Sequence, residues 1–126
     1  MFIIQNLNQE VSNSLDFYLD CSKLTDIRSM CRVFGKTLNV THDFHNLDAL
    51  RDVLEDLDAF MDISKYDGIT FKLSNSKLFL SEDESIDGAI VNAINIFYTV
   101  STYWASEIGS DNFPKKKIIM RFVFEA

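Results

Sequence analysis

The chain has 126 residues, 47% of them hydrophobic, with four glycines and one proline. That composition fits one globular domain with its own core and excludes a disordered or low-complexity protein. The net charge is −7, and no run approaches the roughly 20 apolar residues of a membrane span.

The opening MFIIQNLNQEV lacks the basic start and the apolar length of a secretory signal, so a cytoplasmic protein is expected. Residues 1–13 add either an edge strand through MFII or an extension to a single domain over 14–126. DFYLDC (16–21) sets Phe17, Leu19 and Cys21 against Asp16, Tyr18 and Asp20, the period of a half-buried strand. KLTDIRSMCRVFGKTL predicts a helix capped by Thr25, with Ile27, Met30, Cys31 and Phe34 on one face and Arg28, Arg32 and Lys36 on another. Cys21 and Cys31 match no zinc or redox spacing and read as reduced, buried or half-buried thiols.

NLDALRDVLEDLDAF (46–60) predicts a second helix with Asn46 as N-cap. On a helical wheel Leu47, Leu50, Leu54, Leu57 and Met61 form the inner side, with Val53 and Phe60 on its shoulder. Asp48, Asp52, Glu55 and Asp56 gather opposite. Asp48–Asp52 and Asp52–Asp56 are like-charge pairs at i,i+4, each costing roughly 0.2–0.5 kcal/mol in an isolated helix. The macrodipole favours Asp48 and disfavours Asp58 and Asp62.

GITFKLS (68–74) alternates again, with Ile69, Phe71 and Leu73 inward and Thr70 and Lys72 outward. SEDE (81–84) reads as a capping box, Ser81 capping and Glu84 reaching back, before a long helix over 85–108 with Ile90, Ile94, Phe97, Val100 and Trp104 inward. Gly109 and Pro114 end it. KKK (115–117) reads as a solvated lead-in that discourages edge pairing. The last strand puts Ile118, Met120, Phe122 and Phe124 on one face and Ile119, Arg121, Val123 and Glu125 on the other. Strands separated by helices favour parallel pairing. Each strand has one apolar and one mixed face, so the expected fold is a two-layer α/β domain, a three-stranded parallel sheet with helices mainly on one side.

The charge is the functional clue. Residues 43–62 carry seven acids (Asp43, Asp48, Asp52, Glu55, Asp56, Asp58, Asp62) against Arg51, and residues 82–87 carry Glu82, Asp83, Glu84 and Asp87 with no base. These segments repel nucleic acid and steer basic protein surfaces toward them. A merely solvated helix face usually mixes bases with its acids, and this one has a single Arg51. Carboxylates along one exposed helix cannot surround a metal ion, and no calcium loop is present. His42 and His45 lack an evident third ligand for zinc. No nucleophile elbow or phosphate-cradling glycine loop occurs. A small enzyme built on His42, His45 and nearby acids, or an adaptor using the acidic helix, stands as the alternative to an inhibitor.

NLDALRDVL resembles the helix that marks barstar-like ribonuclease inhibitors, which carry an Asn-Leu/Trp-Asp-Ala-Leu-x-Asp motif. The strand–helix–helix–strand–helix–strand order is also that family's, and residues 15–126 can be laid over it with a longer loop between the second strand and the last helix. The resemblance implies a non-enzymatic inhibitor or immunity protein that forms a one-to-one complex with a basic ribonuclease toxin and needs no cofactor. It implies that Asp52 occupies the enzyme's phosphate site, that Asp48 meets another basic group one turn earlier, and that Asn46 caps the helix and fixes its approach. The loop from His42 to His45 contacts the rim, and an acid at the start of the last helix contributes, Glu84 rather than Asp83. Two departures bear on the partner's identity. Arg51 stands where the family often has an aromatic, and the resemblance then implies for it an acid on the partner to pair with. THDFH replaces a Tyr/Gly-containing loop, with Phe44 as its aromatic contact.

Overall fold

A computed structural model describes residues 2–4 and 11–126; the remainder of the segment 1–13 lies outside the described residues. Seven principal elements follow one another: β1 (Phe2–Ile4), β2 (Ser14–Asp20), α1 (Ile27–Thr37), α2 (Leu47–Glu55), β3 (Gly68–Ser74), α3 (Ile86–Ala105) and β4 (Ile119–Phe124). The sheet order is β1-β4-β3-β2. β2, β3 and β4 pair in parallel, as expected of strands linked through helices. The expected three-stranded parallel sheet is nevertheless corrected to a four-stranded mixed one, because Phe2–Ile4 runs antiparallel along β4. This places β4 inside the sheet, where Ile119 and Val123 on its second face are also buried.

The inner face holds the core. Phe71 of β3 stacks on Phe122 of β4 at 5.0 Å between ring centroids, and Phe122 on Phe97 of α3 at 4.2 Å. Phe34 of α1 reaches Phe71 at 5.5 Å and Phe97 at 6.0 Å. One run of aromatic contacts thus joins two helices and two strands, and pairs of this kind add about 0.5–1.5 kcal/mol beyond their buried area.

On the other face, Thr70 was expected outward, yet it is only 1% exposed. Arg121 lies over it and donates from Nε and Nη2 to its hydroxyl at 3.2 and 2.9 Å. Nearby, Lys72 pairs with Asp16 at 3.4 Å, and Tyr18 stays largely exposed. Gly68 opens β3 where a side chain has no room: a Cβ there would meet Val11 and lie 2.9 Å from the carbonyl oxygen of Ile119. That oxygen belongs to the neighbouring strand and cannot swing aside. Gly68→Ala should therefore destabilise the protein by about 1–3 kcal/mol, the usual cost of overpacking, measured as a lower urea midpoint. An unchanged midpoint would show that the strand start relaxes freely.

Several local expectations change. Asp26, not Thr25, caps α1, its carboxylate accepting from the Ser29 N–H at 2.7 Å. The SEDE capping box does not form: α3 begins at Ile86, and Asp83 instead accepts from the N–H of Ser85 at 3.1 Å. Lys115 is not a solvated lead-in. Its ammonium donates to the carbonyls of Trp104, at 3.0 Å, and Ser106, and sits 4.9 Å from the Trp104 ring. It serves carbonyls at the end of α3, where the Trp104 carbonyl also accepts the Ile118 N–H at 2.8 Å, as a cation at a helix C-terminus should. Burial pushes its ammonium pKa down. Lys116 likewise donates to the Ser64 carbonyl. Cys21 and Cys31 are free, buried thiols, each raised to about 11 by burial, with the Asp20 charge adding to the effect at Cys21. Among the described residues no helix is long and apolar enough to cross a membrane.

Candidate functional site

The site is assembled from the end of α1, the loop that follows, and α2. Asn39, with φ at 59°, takes the left-handed position after α1, and the Val40 N–H returns to the Gly35 carbonyl at 2.9 Å. Closure of this sort is the common way to stop a helix and redirect the chain. Phe44 then turns inward and is only 8% exposed. Its ring lies 3.0 Å from where a Cβ on Gly35 would stand, so the missing side chain is what lets the loop lie flat on α1. The expected aromatic contact to a partner is thus a buried anchor of the loop, while His42 and His45 on either side of it are exposed. The His42 ring lies 6.2 Å from Phe44 and 6.4 Å from Phe60, which holds it over the loop.

Asn46 caps α2 as its sequence indicates, Oδ1 accepting from the Ala49 N–H at 2.8 Å. The Asn46 carbonyl receives a weak bond from the Cys31 thiol at 3.6 Å, tying the helix start to α1. Leu50, Val53 and Leu54 are buried beneath α2, and Trp104 donates its indole N–H to the Leu54 carbonyl at 2.7 Å. The helix therefore has no freedom to roll. Asp48 and Asp52 are exposed on its outer side, one turn and about 6 Å of axial rise apart. Arg51 is half-buried beside them, and no ion pair within 4 Å engages either aspartate among the described residues.

The rest of the acidic run diverges from this ridge. α2 ends at Glu55, and Leu57–Ala59 forms a separate 3-10 turn, so Asp58 and Asp62 do not oppose the dipole of a continuing helix. Asp62 accepts from the hydroxyl and N–H of Ser64, bonds that hold its carboxyl below the usual range. Burial pushes the Glu55 carboxyl up; Arg51 opposes that and Asp52 adds to it.

Glu84 is exposed in the turn ahead of α3, not within the helix. Its neighbour Asp83 accepts from the Ile27 N–H at 3.1 Å and so pins this turn to the start of α1. Just upstream, Leu80 holds a φ of 54°, a conformation rare outside glycine and asparagine. It is kept there by complete burial and by its N–H bond to the Leu24 carbonyl at 2.8 Å. What meets Asp48 across the α2–α3 cleft is a pair of amides, Asn92 and Asn95, with Ile27, Leu47 and Ile96 around them. Sequence reading missed these two, because nothing in the sequence of α3 places them beside the start of α2. Among the described residues no three His, Cys, Asp or Glu side chains converge as a metal site would require.

An acidic ridge on a helix fixed to the core, flanked by a capped start and an anchored loop, is suited to presenting fixed negative charge. The sequence model of the Barstar family, described as barnase inhibitor, matches residues 15–116, more than half of the chain. The chain belongs to the Barstar family. No curated protein and no solved structure gives a significant match. The family match spans β2 through α3 and therefore includes the whole ridge, the loop before it and the cleft beside it. The antiparallel β1 lies ahead of the matched region and β4 just beyond it.

Proposed function

We propose that this Barstar-family chain is a non-enzymatic inhibitor that blocks the active site of a cognate basic ribonuclease, with Asp48 and Asp52 taking the place of RNA phosphates. The observation that carries the reading is the ridge itself: two exposed carboxylates one turn apart, with no ion-pairing base within 4 Å among the described residues, on a helix whose other side is locked into the core. A ribonuclease must hold a fixed array of cations to bind RNA. Carboxylates on a rigid helix satisfy that array and offer no bond to cleave. The helix pays no reorganisation cost on binding, because its cap and core contacts already fix it.

In this reading Asp52 enters the phosphate site, Asp48 reaches a second cation with Asn92 and Asn95 beside it, and Arg51 meets an acid on the partner. Asn46 fixes the approach, His42 and His45 touch the rim, and Phe44 supports them from beneath. Glu84 lies on the side of α1 and adds to the negative field. The chain acts in the bacterial cytoplasm as the immunity partner of a toxin, in a one-to-one complex.

The test is to mix the purified protein with barnase and, separately, with the product of any toxin-like gene beside its own. One of these should form a 1:1 complex by size-exclusion chromatography and lose RNA cleavage. The association rate should fall steeply between low and high ionic strength, since steering between exposed charges is screened. An association rate that ignores salt would remove the electrostatic basis of the proposal.

A further inference from the structure

The face beside the ridge has the opposite charge. Arg28, Arg32 and Lys36 succeed one another at i,i+4 along α1, and the loop opposite brings His42 and His45 toward them across a cavity of about 510 Å³. Like charges at this spacing weaken a helix, and no ion pair within 4 Å relieves any of the three among the described residues. Among the described residues Asp43 is the one acid lining the cavity, and Asp26 at the helix start exerts a longer-range attraction on Arg32 and Arg28. With neutral imidazoles the lining still carries a net positive charge, in a protein whose net charge is −7. The floor is the Gly35–Phe44 contact, so the cavity is built by the packing that anchors the loop.

We propose that this groove is a binding site for a small phosphate-bearing ligand of nucleotide size, separate from the acidic ridge although it shares His42 and His45 with the rim of the proposed ribonuclease contact. Guanidinium forks match phosphate oxygens in bidentate geometry. A carboxylate is planar and singly charged and would satisfy one such fork. Cations on one wall and imidazole N–H donors on the other suit a dianion with oxygens pointing in several directions. From Arg28 to Lys36 is about 12 Å along the axis, longer than one phosphate, and the volume lies in the usual range of small-molecule sites. A polymer of phosphates that continued past Asp43 toward Asp48 and Asp52 would be repelled there, which favours a short ligand.

The experiment is a chemical-shift titration of the full ¹⁵N-labelled chain at constant ionic strength with ADP, sodium phosphate, a hexaribonucleotide and hexaglutamate. ADP should give saturable shifts confined to residues 28–45, in the millimolar range or tighter. The Arg28→Gln/Arg32→Gln/Lys36→Gln variant should bind at least tenfold more weakly with its other resonances unmoved, and Arg32→Gln alone gives the same reading should the triple variant fold poorly. Phosphate binding as tightly as ADP overturns the nucleotide size of the ligand, in favour of a free oxyanion; ADP binding more tightly identifies a nucleotide. The proposal is overturned by absence of saturable shifts, by shifts elsewhere, or by variants that bind ADP unchanged. Tighter binding of the hexaribonucleotide also overturns it, in favour of an RNA chain, and tighter binding of hexaglutamate does so in favour of an acidic protein segment.

Discussion

Asp52→Ala is expected to abolish inhibition of the cognate ribonuclease while leaving the fold intact. Truncating one partner of a desolvated, hydrogen-bonded charge pair costs about 2–5 kcal/mol, which is roughly a 30- to 5,000-fold weaker complex. Most of that loss should appear as faster dissociation, because the cations left behind in the enzyme's site are buried without a counter-charge. The side chain is exposed in the free protein and makes no hydrogen bond there among the described residues, so the thermal midpoint should barely move. Alanine is also the better helix former and removes one like-charge neighbour of Asp48. The informative measurement is therefore a pair: inhibition constant and melting temperature of the same sample. Full inhibition by Asp52→Ala would sink the phosphate-mimic assignment, whatever the family.

Phe97→Ala should have the largest effect on stability. Phe97 is fully buried and stacks on Phe122 at 4.2 Å, and it also contacts Phe34, Phe79 and Phe124. Phenylalanine-to-alanine changes at such positions cost about 3–5 kcal/mol through lost transfer energy and the cavity left behind. In a chain of this length that is on the order of a 10–20 °C drop in melting temperature. Against a typical total stability of about 5–15 kcal/mol, it leaves a marginal protein. A drop of a few degrees only, by calorimetry, would mean that the surrounding rings collapse into the space.

The periodicity of the chain carried most of the architecture. Leu50 and Leu54, Phe97 and Trp104, and the alternation of Ile69, Phe71 and Leu73 all lie on the buried sides that their spacing dictates. Asn46 was legible as a cap because a carboxamide ahead of a leucine run has one efficient use, the free N–H groups of the first turn. What was not legible depends on groups distant in sequence. Thr70 looks outward by parity, and it is covered by groups from the two neighbouring strands, Arg121 and Ser14. SEDE has the composition of a capping box, but Asp83 is committed to α1 and the helix starts later. Phe44 reads as a solvent-facing loop aromatic until Gly35 is placed beneath it. Phe2–Ile4 pairs with a strand more than a hundred residues away, a partner that no local pattern reveals.

The candidate site divides in the same way. Asp48 and Asp52 could be found from the motif and the wheel because both lie in one continuous helix. Asn92 and Asn95 could not, since their relevance comes only from the packing of α3 against the start of α2.

The indole bond from Trp104 to the Leu54 carbonyl gives the protein an optical reporter at a useful place. Trp104 is the sole tryptophan, 2% exposed, and it grips the last turn of the helix that bears Asp52. Its fluorescence is therefore a single-site signal, undiluted by other indoles. It registers loss of the core and displacement of the acidic helix in the native chain, with no dye or label attached.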